Sequence, residues 1–595
     1  MDILIKPTIA ACLVLLAFLC GTQLAQSDDF IAGDTAYICN EGSQFTNLRQ
    51  GPSAQDFPAI AQLPNGLSVA IAKAETNSAG FTYYQINIAS SQMEAFRSGW
   101  VHDQVLASLS CELPAFDNPQ LADVASRLAA DNQGLIAADI ISVNAAFDGT
   151  RIDLSNLNAL TDIAALSRWT NLEFIDLSYS SVVDVSPLSP LAALKVLSLY
   201  STPVNDIEPL SALRSIETLN LYETNVSDIA PLVGLNALRT LVLSNSQVSD
   251  ISSLALMPQL QVLSLSSTPV RDVSALAALT KLRLLSMDSL EVHDIGFLTD
   301  MRSLHTLTLQ YVGSGDLSAM ANLSSLQDLS LQTSGATDLT PLAGLVALKR
   351  LSLVSDGAID IAPLGTLTKL EILSLGYTDL SDITAVANMP SLRILNAYGT
   401  NVRDLAPLAG MKHLERLSLN ETQVDDISAL SGMATLIDLD LSNTQVEDFS
   451  VLADFNALER LRLANTGFAD SGLLANMPNL EELAASGTKI EEFDFLQSLP
   501  KLRRLDLDKT KFSDASLLAG MLDLDNLNLA STKVGDIASL ATLPKLRVLN
   551  IENTKVTDVS PLAGLQTLRY LDAAGAEIEN FVVLDGLVSN GLTIR

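Results

Sequence analysis

Leu197 is followed by a leucine at every twenty-second residue as far as Leu571, with Ile175 one interval earlier, and the spacing never slips. A fixed period of this length is the mark of a solenoid, in which each repeat is one coil that cannot bury its apolar side alone and depends on its neighbours. Length therefore does not count domains here, because such an array grows by adding coils. Within a coil, Leu197 and Leu199 stand two apart, which on an extended segment puts both on one side and Val196, Ser198 and Tyr200 on the other. The leucines are expected inward and the alternate residues on a surface. Nineteen such strands side by side, at about 4.8 Å each, give a curved parallel sheet roughly 90 Å long, whose concave side is the natural place for a partner.

The run Leu546-Arg547-Val548-Leu549-Asn550-Ile551-Glu552-Asn553-Thr554-Lys555-Val556-Thr557-Asp558-Val559-Ser560-Pro561-Leu562 resembles the internalin-like class of bacterial leucine-rich repeats, and the likeness extends over about three quarters of the chain. It implies an α/β-type leucine-rich repeat solenoid over residues 151–595, with the curved parallel sheet on the concave face. Where that class carries an Asn ladder this chain carries threonine, at Thr202, Thr224, Thr268, Thr378, Thr400, Thr422 and onward. Their hydroxyls are expected to bond backbone between coils. The resemblance does not name a partner, since these solenoids serve many.

The N-terminal part is organised differently. Lys6, the apolar run Ile9–Leu19 and then Gly21-Thr22-Gln23-Leu24-Ala25 read as a secretory signal over residues 1–25; the apolar run is short for the alternative, a membrane anchor. Leu19 also suits poorly the position before a lipidated Cys20. The mature chain is expected to be exported, periplasmic or secreted. Cys12 and Cys20 leave with the signal, so Cys39 and Cys111 remain, most simply as one disulfide, and no CxxC supports thiol redox chemistry. Between them Asn47-Leu48-Arg49-Gln50-Gly51-Pro52-Ser53, Leu63-Pro64-Asn65-Gly66, Tyr83-Tyr84-Gln85-Ile86 and Gly99-Trp100-Val101-His102 resemble a bacterial SH3-like domain over residues 34–112. Alternating apolar residues between Gly and Pro agree with a small all-β barrel. The resemblance implies a peptidoglycan or other cell-wall ligand. Longer loops around Glu75–Ala79 and Ser90–Phe96, and Tyr83 where Trp is usual, are departures, and Trp100 is read as core. Residues 113–150 are a linker and cap, with helical spacing at Leu121, Val124 and Leu128; at the far end Leu592-Thr593-Ile594 reads as a last strand.

Three columns of the repeat carry further information. Nine after the marked residue, from Asp184 to Asp558, eighteen positions hold seventeen Asp and Glu492. Stacked carboxylates suit Ca²⁺, but Asp followed by Ile or Val, then Ser or Ala, and often Pro is what the start of a turn or short helix wants; capping is the preferred reading, with no metal site. The net charge of −33 argues against nucleic acid or an anionic membrane as partner. Tyrosine falls only one before, three after or four after the mark: Tyr179, Tyr200, Tyr222, Tyr311, Tyr377, Tyr398 and Tyr570. The first six are the candidate ligand contacts, because Tyr combines area with a polar tip, and Tyr179, Tyr200 and Tyr222 lie on successive coils. Arg416, Asp438, Asp440, Arg460, Arg462, Arg504, Asp506, Asp508 and Lys509 form a charged stripe in which opposite charges are expected to solvate one another. Gly313, Gly335 and Gly357 mark a break, expected as a change of curvature or a softer segment.

His102, His293, His305 and His413 occupy unrelated places, so no nucleophile, base and orienter converge, and no cofactor is called for. The pattern points to an exported, non-catalytic binding protein that takes a protein ligand on the concave face, with the SH3-like domain as envelope tether. An adhesin or virulence factor for a host surface, and a scaffold or regulator of a cell-wall enzyme, are the alternatives.

Overall fold

The computed structural model describes residues 149–595 apart from 291, 293, 313–315 and 334–337, and before them the backbones of seven strands and the helix Pro119–Asp131 with Asn132. The proposed signal, Cys39 and Cys111, His293, Gly313 and Gly335 lie outside the described residues, as do the side chains of the seven strands and of Tyr311. By chain contacts there are two units, residues 1–153 and residues 154–595.

In the first unit β1 (Thr35–Ile38), β2 (Phe45–Arg49), β3 (Ala59–Pro64), β4 (Ser68–Thr76), β5 (Thr82–Ile88), β6 (Ser98–His102) and β7 (Leu106–Ala107) pair antiparallel in the order β3-β2-β6-β5-β4-β1-β7. The helix Pro119–Asp131 follows, with Ala125 and Leu128 fully buried.

The second unit repeats one coil. Its strands pair in parallel without interruption from Phe174–Asp176 to Thr593–Ile594, each marked residue standing opposite the next, as Leu197 does Leu219 and Leu219 does Leu241. Leu197 and Leu199 are fully buried while Val196, Ser198 and Tyr200 are half-exposed, so the period-two alternation is obeyed. On the opposite side the chain makes short 3₁₀ helices, such as Glu208–Ala212 and Ala230–Leu232, rather than the α-helices of an α/β-type coil. Twenty-two residues leave too little chain for a longer helix once the strand and both turns are made.

Outside the glycine break, the coils turn out of their strands through a left-handed residue four after the mark, among them Ser201, Glu223, Asn245, Gly399 and Asn553. Asn, Ser and Gly tolerate that conformation readily. The next turn is closed by threonine, and here the expectation needs correction. Thr202 Oγ1 donates to the Leu199 carbonyl of its own coil at 2.6 Å, and Thr224, Thr268, Thr378, Thr400 and Thr422 do the same to the carbonyl three residues back. The hydroxyls do not bridge coils, because the left-handed turn folds the side chain back over its own strand end. Between coils the bonds are backbone to backbone, as from Tyr179 N–H to the Tyr200 carbonyl at 2.8 Å.

The break in the glycine column takes a definite form. Three strands there lengthen to Thr306–Val312, Asp328–Thr333 and Arg350–Ser355, while the usual strand spans three residues, and Tyr311, Thr333 and Ser355 are not left-handed. Ser289 is left-handed although Leu290 follows it, so loss of the threonine alone does not open the turn.

Candidate binding face of the solenoid

The outward side of the sheet is made by three rows: the residue before the mark, the one after it and the one three after it. Tyr200 and Tyr222 lie in the last row on adjacent coils, and their rings stack with centroids 4.6 Å apart and planes 3° from parallel. Coil spacing and ring stacking coincide, so the sheet itself brings the rings together. Tyr179 joins from the left-handed position, φ 59°, tilted 58° to Tyr200 at 4.9 Å and 46% exposed. The left-handed turn that most coils share places its ring there, as it does that of Tyr377. A hydrogen bond with the Tyr179 side chain, with burial adding to it, raises the Tyr200 hydroxyl well above the usual phenol range.

Beyond the tyrosines the rows continue in hydroxyls. Ser178 and Ser198, Ser244 and Ser264, and Ser266 and Ser286 pair diagonally between coils, at 2.8, 2.6 and 2.8 Å. Each hydroxyl in such a pair retains further hydrogen-bonding capacity. From Val196 to Gln310 the three rows hold eighteen side chains, and Asp288 is the single charged one.

Tyr377 and Tyr398 form a second cluster, with rings edge to face at 5.1 Å. Their surroundings differ. A Cβ on Gly376 would lie 2.4 Å from the Tyr398 ring, and one on left-handed Gly399 would lie 2.6 Å from the Tyr377 ring. Each ring therefore fills the place left by the other coil's glycine, which gives this pair a packing role. Tyr311 stands in a lengthened strand, and Tyr570 Oη reaches Asp572 at 3.4 Å near the last strand. The six candidate tyrosines thus do not form one site: three are together, two are seven or more coils farther on, and the side chain of Tyr311 lies outside the described residues.

In the charged stripe the carboxylates and guanidinia meet between coils. Asp438 is held by Arg460 at 2.7 Å and Arg462 at 3.1 Å, and Glu482 by Arg462 at 2.7 Å and Arg504 at 2.6 Å. Asp328 and Arg350 pair in the same way farther back. The Asp column is equally committed. All seventeen aspartates accept the N–H two residues ahead, where the 3₁₀ helix begins, at 2.7–3.2 Å. These bonds, with those from Ser or Thr hydroxyls, hold Asp184, Asp250, Asp272, Asp316 and Asp338 below the ordinary carboxyl range. Among the described residues no group of three or more His, Cys, Asp or Glu could hold a metal ion, and no helix is long and apolar enough to cross a membrane. His305 is tied locally, its Nδ1 lying 2.6 Å from the Ser303 carbonyl. Sequence reasoning passed over the serine diagonal and Asp288; reading the three outward rows side by side is the signal that finds them.

The family model for leucine-rich repeats, in its two-copy form, matches residues 214–256 and 523–564. These coils are leucine-rich repeats. No curated protein matches the chain. Among solved structures, an internalin of Listeria monocytogenes is similar at 25% identity, over 57% of this chain and 88% of that one, with a TM-score of 0.39. A TDR receptor is similar at 17% identity over 74% and 92%, TM-score 0.47, and a leucine-rich repeat protein of Leptospira interrogans at 16% over 76% and 98%, TM-score 0.36.

Proposed function

We propose that this chain is an exported, non-catalytic binding protein whose leucine-rich repeat sheet takes a protein ligand on the coils before Gln310, centred on Tyr179, Tyr200 and Tyr222. Residues 34–112 would be the SH3-like tether to the cell envelope, where peptidoglycan is the expected ligand, with Cys39 and Cys111 as its disulfide. The single observation that supports the binding reading is the tyrosine cluster: two rings stacked on adjacent coils, and a third held beside them by a left-handed residue. Unlike the pair at Tyr377 and Tyr398, it fills no glycine gap.

The test is a pull-down from envelope extract with the mature chain, beside a Tyr179→Ala, Tyr200→Ala, Tyr222→Ala variant shown by circular dichroism to be folded. A protein retained by the parent and lost by the variant is the expected result. Equal capture by both sinks the assignment of this face. Sedimentation with purified peptidoglycan checks the tether, and a chain that stays in the supernatant removes it.

A further inference from the structure

Asp288 is out of place where it stands. It is the only charge among the eighteen outward positions from Val196 to Gln310, its Oδ1 is shielded from solvent, and that oxygen accepts no hydrogen bond. Burial pushes its carboxyl above the ordinary range. Only its backbone is engaged: its N–H donates to Ser266 Oγ at 3.0 Å, and its carbonyl accepts from Ser267 N–H at 2.8 Å. A half-buried carboxylate oxygen without a partner destabilises the fold, and Ser or Asn would fill the row without that burden. Asp438 and Glu482, on the same face, are each met by two arginines of neighbouring coils. Asp288 has no such neighbour among the described residues of its rows, which leaves its carboxylate open to a cation from a ligand.

Its place in the row sets the geometry. Asp288 lies three coils beyond Tyr222 in the same row, about 14 Å at roughly 4.8 Å per strand. An extended peptide laid across the strands advances about 3.3 Å per residue, so four or five residues cover that span. A net charge of −33 draws a cationic partner toward the protein, and the uncharged surroundings of Asp288 strengthen the pair once formed. We propose that the ligand is an extended basic polypeptide segment, whose Lys or Arg pairs with Asp288 while a residue four or five positions away rests on the Tyr200–Tyr222 stack. This rests on the reading of the sheet as the binding face.

The experiment uses the full chain at physiological salt and fluorescent, end-blocked decapeptides. Each carries one Tyr and one variable Arg, Lys, Gln or Glu, at separations from two to eight residues. Arg and Lys peptides at separations of four and five are expected to bind about tenfold more tightly than the Gln peptide. Asp288→Asn should abolish that difference and leave the thermal midpoint equal or higher. A cation preference that survives in Asp288→Asn, or is absent from the parent, overturns the assignment; the former result would reflect the diffuse charge of the whole chain. Tyr200→Ala with Tyr222→Ala should weaken every peptide alike. If it does not, while the Asp288-dependent preference holds, the tyrosine reading fails and the anchor stands; peptides held through the tyrosines without any cation preference mean the reverse. A parent that binds no member of the array overturns the peptide class itself.

Discussion

The coils before Gln310 and those after it share one strand ladder and one core, yet their outward rows are used in different ways. After Gln310, charges are frequent and largely satisfied within the protein: Asp438, Glu482 and three arginines form a chain of ion pairs along successive strands. Before it the rows hold hydroxyls, β-branched residues and stacked tyrosines, with one carboxylate left over. Charge density is therefore a poor guide to where such a sheet binds. A ladder of alternating charges neutralises itself at coil spacing, whereas rows of serine and tyrosine keep donors, acceptors and ring area open to a ligand.

This comparison can be broken or sharpened experimentally. The largest effects should be equal in the two halves: Leu219→Ala and Leu439→Ala, both essentially buried, are each expected to cost about 2–5 kcal/mol in chemical denaturation. A clear disparity would mean that the halves differ in their cores and not only on their faces. Next comes Glu482→Ala. It frees two arginines, and with Arg504 half in solvent the loss is expected at about 1–2 kcal/mol. No loss would show that the charged ladder is ordinary solvated surface. Thr202→Val and Thr422→Val, one in each half, should each cost about 1 kcal/mol through the lost bond to their own strand end. Ser264→Ala should change stability by less than about 0.5 kcal/mol, since its hydroxyl partner Ser244 can turn to water.

Acid gives the finest test, read from urea midpoints between neutral pH and pH about 3. Asp184, Asp250, Asp272, Asp316 and Asp338 lie below their ordinary value of 3.8, so their contribution is present above that value and is lost as pH falls through the lowered range. Asp288 and Asp506 are raised by burial, so their ionised forms weigh against the fold at neutral pH and protonation relieves them as pH falls. Parent stability should therefore fall in the acid range where the turn aspartates protonate. Asp288→Asn should remove the opposing contribution. An acid limb unaltered by Asp250→Asn together with Asp272→Asn would deny the capping carboxylates their role.

Much of this was legible in the residues. The period, the inward leucines and the role of the Asp column are local properties, repeated so often that each coil restates the same solution. The threonines were legible as a column but not in their partner, because the direction of Thr202 Oγ1 depends on the left-handed turn at Ser201. The glycine break was visible, but its form, three strands running on through the usual turn, was not. Tyrosine counting joined six residues that the coils separate, since offset from the mark says which row a ring occupies and nothing of what lies beside it.

The sequence by itself determined that this chain is a solenoid of leucine-rich coils with a parallel sheet and acidic, capped turns, because those features follow from spacing within a single repeat. Only the tertiary structure decided which outward side chains neutralise one another, which rings stack, and which carboxylate is left without a partner. Those relations hold between residues 20 to 24 positions apart on neighbouring coils, as in Ser244 with Ser264 and Asp438 with Arg462. Their distances are set by the stacking of strands and by χ angles, neither of which any one repeat contains.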